Sequence, residues 1–182
     1  MKRVKIAIQG INGSYSEEAA NDLVRGRADI VECTSFEGVF RALRSGRAER
    51  AVLPVHNRIN GPIRPVMQLL AASRMPVVER VRLPIRHVLA GTADADISKI
   101  TSIRSHPEAL KQCSGFLETV IEPGIEQPAA DTATSIREVI QLGDPTAAAI
   151  CSPRAAELYG AKVLSENIAD EGDNWTEFVM LA

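Results

Sequence analysis

At 182 residues the chain is long enough for one domain or for two small lobes, with an aliphatic core, since 45% of residues are apolar and only 4% aromatic. The 21 Lys and Arg nearly balance the 23 Asp and Glu, with no long run of one sign, which excludes a nucleic-acid surface, and no apolar run reaches the ~18 residues that a membrane span needs. Three scattered cysteines (Cys33, Cys113, Cys151) suit reduced thiols in a cytoplasm, and His56, His87 and His106 pair with neither Cys nor carboxylates at ligand spacing, so no metal site is expected.

Val4 to Gln9 reads as a buried first strand, too short to be a signal peptide. Gly10 to Ser16 makes a glycine turn in which Ser14 or Ser16 can cap a helix running to about Arg25. Such a strand–turn–helix unit aims backbone N–H groups at one spot suited to a carboxylate or phosphate. It is neither a Walker nor a dinucleotide motif, because no Gly-Lys-Ser/Thr or third glycine follows.

Asp29 to Cys33 is a second strand, Phe36 to Leu43 a helix stopped by Gly46, and Ala51 to Val55 a third strand. That strand runs into the polar loop His56 to Pro62, at the carboxyl end where open α/β sheets bind ligands. An amphipathic helix over about 63–72 is packing. Pro76 to Ala90 alternates like a strand broken at Pro84, which carries the chain into a second lobe, and Gly91 to Asp96 is a turn.

Ile100 to Ile103 is a strand, and Ser105 N-caps a helix through Leu117 that projects Gln112 and Cys113 near the capped face. Asp131 caps a helix ending at Gly143, Thr146 to Ile150 is a small-residue strand for the middle of a sheet, and Ser152-Pro153 opens a helix to Tyr159. Val163 and Leu164 begin the return. Trp175 to Leu181 is a last strand, with Trp175, Glu177 and Val179 on one face and Thr176, Phe178 and Met180 on the other. By itself this could be an edge strand whose Thr is only a good strand former. The order predicts two α/β lobes with a cleft, lobe one 1–77 plus 165–182 and lobe two 78–164.

Six stretches in order, IAIQGINGSYSEEAA, AVLPVHNRINGPI, RSHPEALKQCSGFL, DTATSI, AAAICSPRAAELYG and DNWTEF, resemble the catalytic domain of prephenate dehydratase along nearly the whole chain. The resemblance implies a two-lobed α/β fold of the periplasmic-binding-protein-like (type II) class and a cofactor-free cytoplasmic lyase of phenylalanine biosynthesis. In that reaction prephenate loses carbon dioxide and water to give phenylpyruvate. It carries a catalytic set of Thr176, Asn57, Ser105 and Gln112, with Gly13, Ser14, Tyr15, His56, Arg58, His106, Asn174, Glu177 and Phe178 binding a dicarboxylate substrate. It also implies a homodimer or larger assembly, with no nucleic-acid or membrane partner. Family members often continue into a phenylalanine-binding ACT domain, and many are fused to chorismate mutase; neither is read in this sequence.

Three motif positions depart from the family. Its Glu before the Asn is His56, its Ser after the Asn is Arg58, and its Arg after the Thr is Glu177. Two unit charges about 6 Å apart interact by roughly 3 kcal/mol at an effective dielectric of about 20, so reversing the last one could cost a hundredfold in rate. Arg58 could restore the cation by pairing with Glu177, leaving dehydration intact. Alternatively His56 and Glu177 retune the site toward a decarboxylase of a related cyclohexadienol, or the chain is a binding module without a reaction.

Overall fold

A computed structural model describes residues 3–120 and 126–182. In chain order it comprises β1 (Lys5–Gln9), α1 (Tyr15–Leu23), β2 (Asp29–Cys33), α2 (Phe36–Arg44), β3 (Arg50–Asn57), β4 (Gly61–Pro62), α3 (Arg64–Ser73) and β5 (Val77–Pro84). There follow β6 (Val88–Gly91), a 3-10 turn (Ile97–Lys99), β7 (Ser102–Ser105), α4 (Pro107–Gln112), α5 (Ser114–Val120), β8 (Glu126–Pro128), α6 (Thr132–Leu142), β9 (Ala147–Cys151), α7 (Pro153–Leu158), β10 (Lys162–Ser165) and β11 (Trp175–Leu181). Two compact units divide the chain, Met1–Ile85 with Asp173–Ala182 and Arg86–Gly172.

The first unit is a mixed sheet in the order β2-β1-β3-β11-β5, with β4 beside β3. β1 runs parallel to β2 and β3, whereas β11 is antiparallel to both β3 and β5. The closing strand is therefore interior, not an edge. Its alternating apolar residues bury both faces: Val179 and Leu181 join Leu53, Val55, Val39, Phe40 and Val66 under α2 and α3, while Phe178 and Met180 join Ile6, Ile8, Val52, Ala19 and Ala20 under α1. Each such large side chain contributes roughly 1.5–3 kcal/mol when buried, which makes this strand the bolt of the unit.

The second unit is a sheet in the order β10-β6-β9-β7-β8. Every residue of β9 (AAAIC) is buried, and its small side chains let α6 sit close on the sheet. Leu89, Ile103, Ile150, Leu110, Cys113 and Leu117 form the core on which α4 and α5 rest. Each unit is thus helices packed on its own mixed sheet, the α/β class that the resemblance implies. Among the described residues, no helix is long and apolar enough to cross a membrane.

The crossings lie further along the chain than the expected 77/78 and, on the return, 164/165. β5 stays in the first sheet because Val77 to Pro84 pairs along β11, and Val163 pairs with Ala90 of β6, inside the second sheet. The helix expected from Pro107 to Leu117 breaks at Cys113, whose φ of −117° leaves the helical range. His56 and Asn57, read as loop, are the last residues of β3, held there by pairing with Glu177 and Thr176.

Candidate functional site

In the first unit the carboxyl end of β3 meets the start of β11, where a one-residue bulge lies between Glu177 and Phe178. Register sets Asn57, Thr176 and Leu83 side by side, and His56, Glu177 and Arg82 side by side. Because side chains alternate along a strand, these two rows lie on opposite faces of the sheet.

The row of Thr176 forms a closed amide–hydroxyl network. Oδ1 of Asn57 accepts from the backbone N–H of Ile59 and of Asn60 (both 3.0 Å), an Asx turn that fixes which end of the amide faces β11. Nδ2 of Asn57 then donates among Oγ1 of Thr176 (2.9 Å), Oδ1 of Asn174 (2.9 Å) and the carbonyl of Trp175 (3.1 Å). Asn57, Asn174 and Thr176 are all buried. Thr176 thus accepts a hydrogen bond, so its own O–H remains to donate. Phe178, expected against substrate, is a core residue only 2% exposed, because it lies on the sheet face that α1 covers.

The other face carries two of the three motif departures, His56 and Glu177. The His56 ring stacks on Trp175 (centroids 5.6 Å apart), and Arg82 lies 4.4 Å over the same indole. Glu177 pairs with Arg80 (3.0 Å) and Arg82 (3.5 Å) on β5. Arg58 does not meet Glu177. Its guanidinium instead bonds the carbonyl and carboxylate of Asp173, and its backbone N–H donates to Trp175, which ties the loop after β3 to the turn before β11. The expected exchange of charge between Arg58 and Glu177 is therefore corrected: β5 supplies the cations, because its register places Arg82 opposite Glu177.

The glycine turn also differs from expectation. Gly10 and Gly13 adopt φ of +105° and +92°, which glycine alone takes without strain. Ser14 caps α1, accepting from the N–H of Glu17. However, the Gly13 N–H is not open to a ligand, because the buried Glu17 carboxylate accepts from it at 2.7 Å while also accepting from Asn21. The Ser14…Glu17 spacing is that of a capping box, a signal present in the sequence. Tyr15 packs partly buried against the α1-side core.

In the second unit Ser105 is fully buried, and its hydroxyl donates to the Ile150 carbonyl at 2.8 Å across to β9. It is the last residue of β7, not a cap. The N-cap of α4 is His106, whose Nδ1 accepts from the Glu108 N–H at 3.2 Å. Gln112 ends α4, whereas Cys113 turns into the core, so the two do not project together. Oε1 of Gln112 lies 3.0 Å from Nε2 of His87, and its backbone carbonyl accepts from the N–H of Asp170. His87 is a polar residue missed from the sequence. Burial pushes its pKa below the ordinary value, opposed in part by the hydrogen bond with Gln112. A lone His in the alternation Ile85-His87-Leu89 was its only signal.

The structure therefore brings Asn57, Asn174 and Thr176 into one network in the first unit and joins His87 to Gln112 in the second. His56, Arg58 and Glu177 are drawn into structural pairs, and Ser105 into the sheet. The sequence model of the family described as prephenate dehydratase matches residues 6–182. An arogenate dehydratase/prephenate dehydratase of Arabidopsis thaliana is 39% identical over 99% of this chain. This chain spans 45% of that relative, about half its length. Among solved structures, prephenate dehydratase from Arthrobacter aurescens in complex with L-Phe superposes with a TM-score of 0.87 at 25% identity, covering 98% of this chain and 60% of that one. GqqA, described as a novel type of quorum quenching acylase, gives a TM-score of 0.85 at 28% identity, covering 98% and 63%.

Proposed function

The chain belongs to the prephenate dehydratase family, and from that premise we propose that it carries the lyase activity converting prephenate to phenylpyruvate. The C–C bond to the ring carboxylate breaks, its electron pair becomes a ring double bond, and the C4 hydroxyl departs as water. The balance consumes one proton. Thr176 donates that proton to the leaving oxygen and regains it from solvent. A Thr hydroxyl is a poor acid in water, but the N–H of Asn57 stabilises the charge that builds on Oγ1 as its proton leaves. That contact is the observation that carries the reading. Asn174 and Gln112 orient the substrate, Ser105 acts by fixing the β7–α4 turn, and Gly13 to Tyr15 shape a wall of the first unit's site.

The position of Glu177 favours dehydration over the decarboxylase reading. It lies on the face away from the Thr176 hydroxyl, and with Arg80 and Arg82 the cluster sums to one positive charge, the charge that a single Arg would supply. Acyl hydrolysis, suggested by the likeness to GqqA, fits less well. The side chain bonded to Thr176, that of Asn57, is an amide donor, whereas a nucleophilic hydroxyl needs a base. We place the enzyme in a reducing, aqueous compartment, the cytoplasm or, as the names of its plant relatives suggest, a plastid, acting as a homodimer or larger assembly.

The test is incubation of the purified protein with prephenate, and separately with arogenate, following the aromatic product by absorbance. Formation of phenylpyruvate supports dehydration. Consumption of prephenate without an aromatic product, or binding without turnover, overturns it.

A further inference from the structure

We propose that His87 is a positioning residue for the reaction, fixing the side-chain amide of Gln112 so that its NH2 end is presented to the substrate. This rests on the dehydratase reading above and adds a residue to it. The carbonyl oxygen of an amide can only accept, so the 3.0 Å contact between Gln112 Oε1 and His87 Nε2 requires the proton to sit on Nε2. His87 is 4% exposed, and burial favours its neutral form, which leaves a single ring N–H and hence one tautomer for this pairing. With Oε1 turned toward the imidazole, the amide of Gln112 cannot flip without setting its NH2 against the N–H of His87.

The rest of Gln112 is equally constrained. Its backbone carbonyl accepts from the N–H of Asp170 at 2.8 Å. The carboxylate of Asp170 in turn accepts from the Gly115 N–H and the Ser114 hydroxyl, both at 3.1 Å, at the start of α5. A Cβ on Gly115 would come within 2.9 Å of Asp170 Oδ1, so a larger residue here would push that carboxylate aside. The end of α4 is therefore held by backbone on one side and by His87 on the other. A neutral amide held in one orientation discriminates an acceptor from a donor, which suits a carboxylate or hydroxyl of the substrate.

The experiment compares steady-state kinetics on prephenate for the full chain and for His87→Leu, His87→Gln, Gln112→Ala and the His87→Leu/Gln112→Ala double variant. His87→Gln places an amide N–H near the Nε2 position and should keep KM within about threefold. His87→Leu should raise KM about tenfold with kcat much less affected, the order expected when one buried hydrogen bond is lost. The double variant should be no worse than Gln112→Ala, because both changes remove the same oriented amide. Multiplying effects, or an unchanged KM in His87→Leu beside a raised one in Gln112→Ala, would overturn the inference. Should the wild-type chain fail on prephenate, the dehydratase reading itself falls. The tautomer is then read by 15N NMR: a proton on Nε2 supports the His87–Gln112 pairing, and one on Nδ1 overturns it.

Discussion

Asn57 distributes its amide so fully that small changes should separate geometry from chemistry. Thr176→Ser keeps the hydroxyl and most of kcat, whereas Thr176→Val should lower kcat about a hundredfold or more, with an unchanged circular dichroism spectrum. Asn57→Asp is the sharper variant. A carboxylate can only accept, so the Thr176 proton would turn toward it, and kcat should fall by a similar factor while the Asx turn persists. The thiols should be quiet: burial pushes Cys113 and Cys151 up to about 12, with the Asp170 charge adding to the effect at Cys113. Ellman's reagent at pH 8 should label both only as the chain unfolds. His87 adds a pH dependence to stability. Its folded pKa lies below 6.5, so as pH falls through 6.5 the unfolded chain takes up a proton that the folded one refuses, and stability drops. Between about pH 6.5 and 5, the melting temperature of His87→Gln should fall less than that of the parent.

At the scale of elements, β5 and β11 act as a charged pair on one face. Restoring the family's Arg by Glu177→Arg would gather three guanidiniums and remove two ion pairs, each worth up to about 1 kcal/mol at exposed positions. The melting temperature should fall by roughly 2–8 °C, less at high salt, and turnover should not rise. A rise in turnover would show that the charge reaches the substrate. Here the sequence was readable only in part. The alternation of Trp175 to Leu181 gave both faces of β11, and the runs of Val, Ile and Ala gave most strands. The partners of Glu177 were hidden, because they depend on which residues of a distant strand fall opposite it. Ser105 looked like a cap by residue type, yet a strand end aimed it at the Ile150 carbonyl and passed the cap to His106. The Ser14…Glu17 box was legible and overlooked, and it decides who holds the Gly13 N–H.

For the molecule as a whole, each unit has its own sheet and core, but only the second is continuous in sequence. The first is completed by a strand that lies between β3 and β5 and buries residues on both faces. Its amides should therefore be among the slowest of that unit to exchange with deuterium. Truncation before Trp175 should unfold the first unit while leaving slow amides in β9 and β6 of the second, a result that hydrogen-exchange mass spectrometry can read segment by segment.

The placement of β11 also sets a timetable at the ribosome. Everything from Arg86 to Gly172 must emerge before the first unit receives β11, a wait of roughly 4–17 seconds at bacterial or eukaryotic translation speeds of about 5–20 residues per second. During that interval the nascent chain exposes the flanks of β3 and β5, an invitation to chaperones that ends only when the final segment slides home.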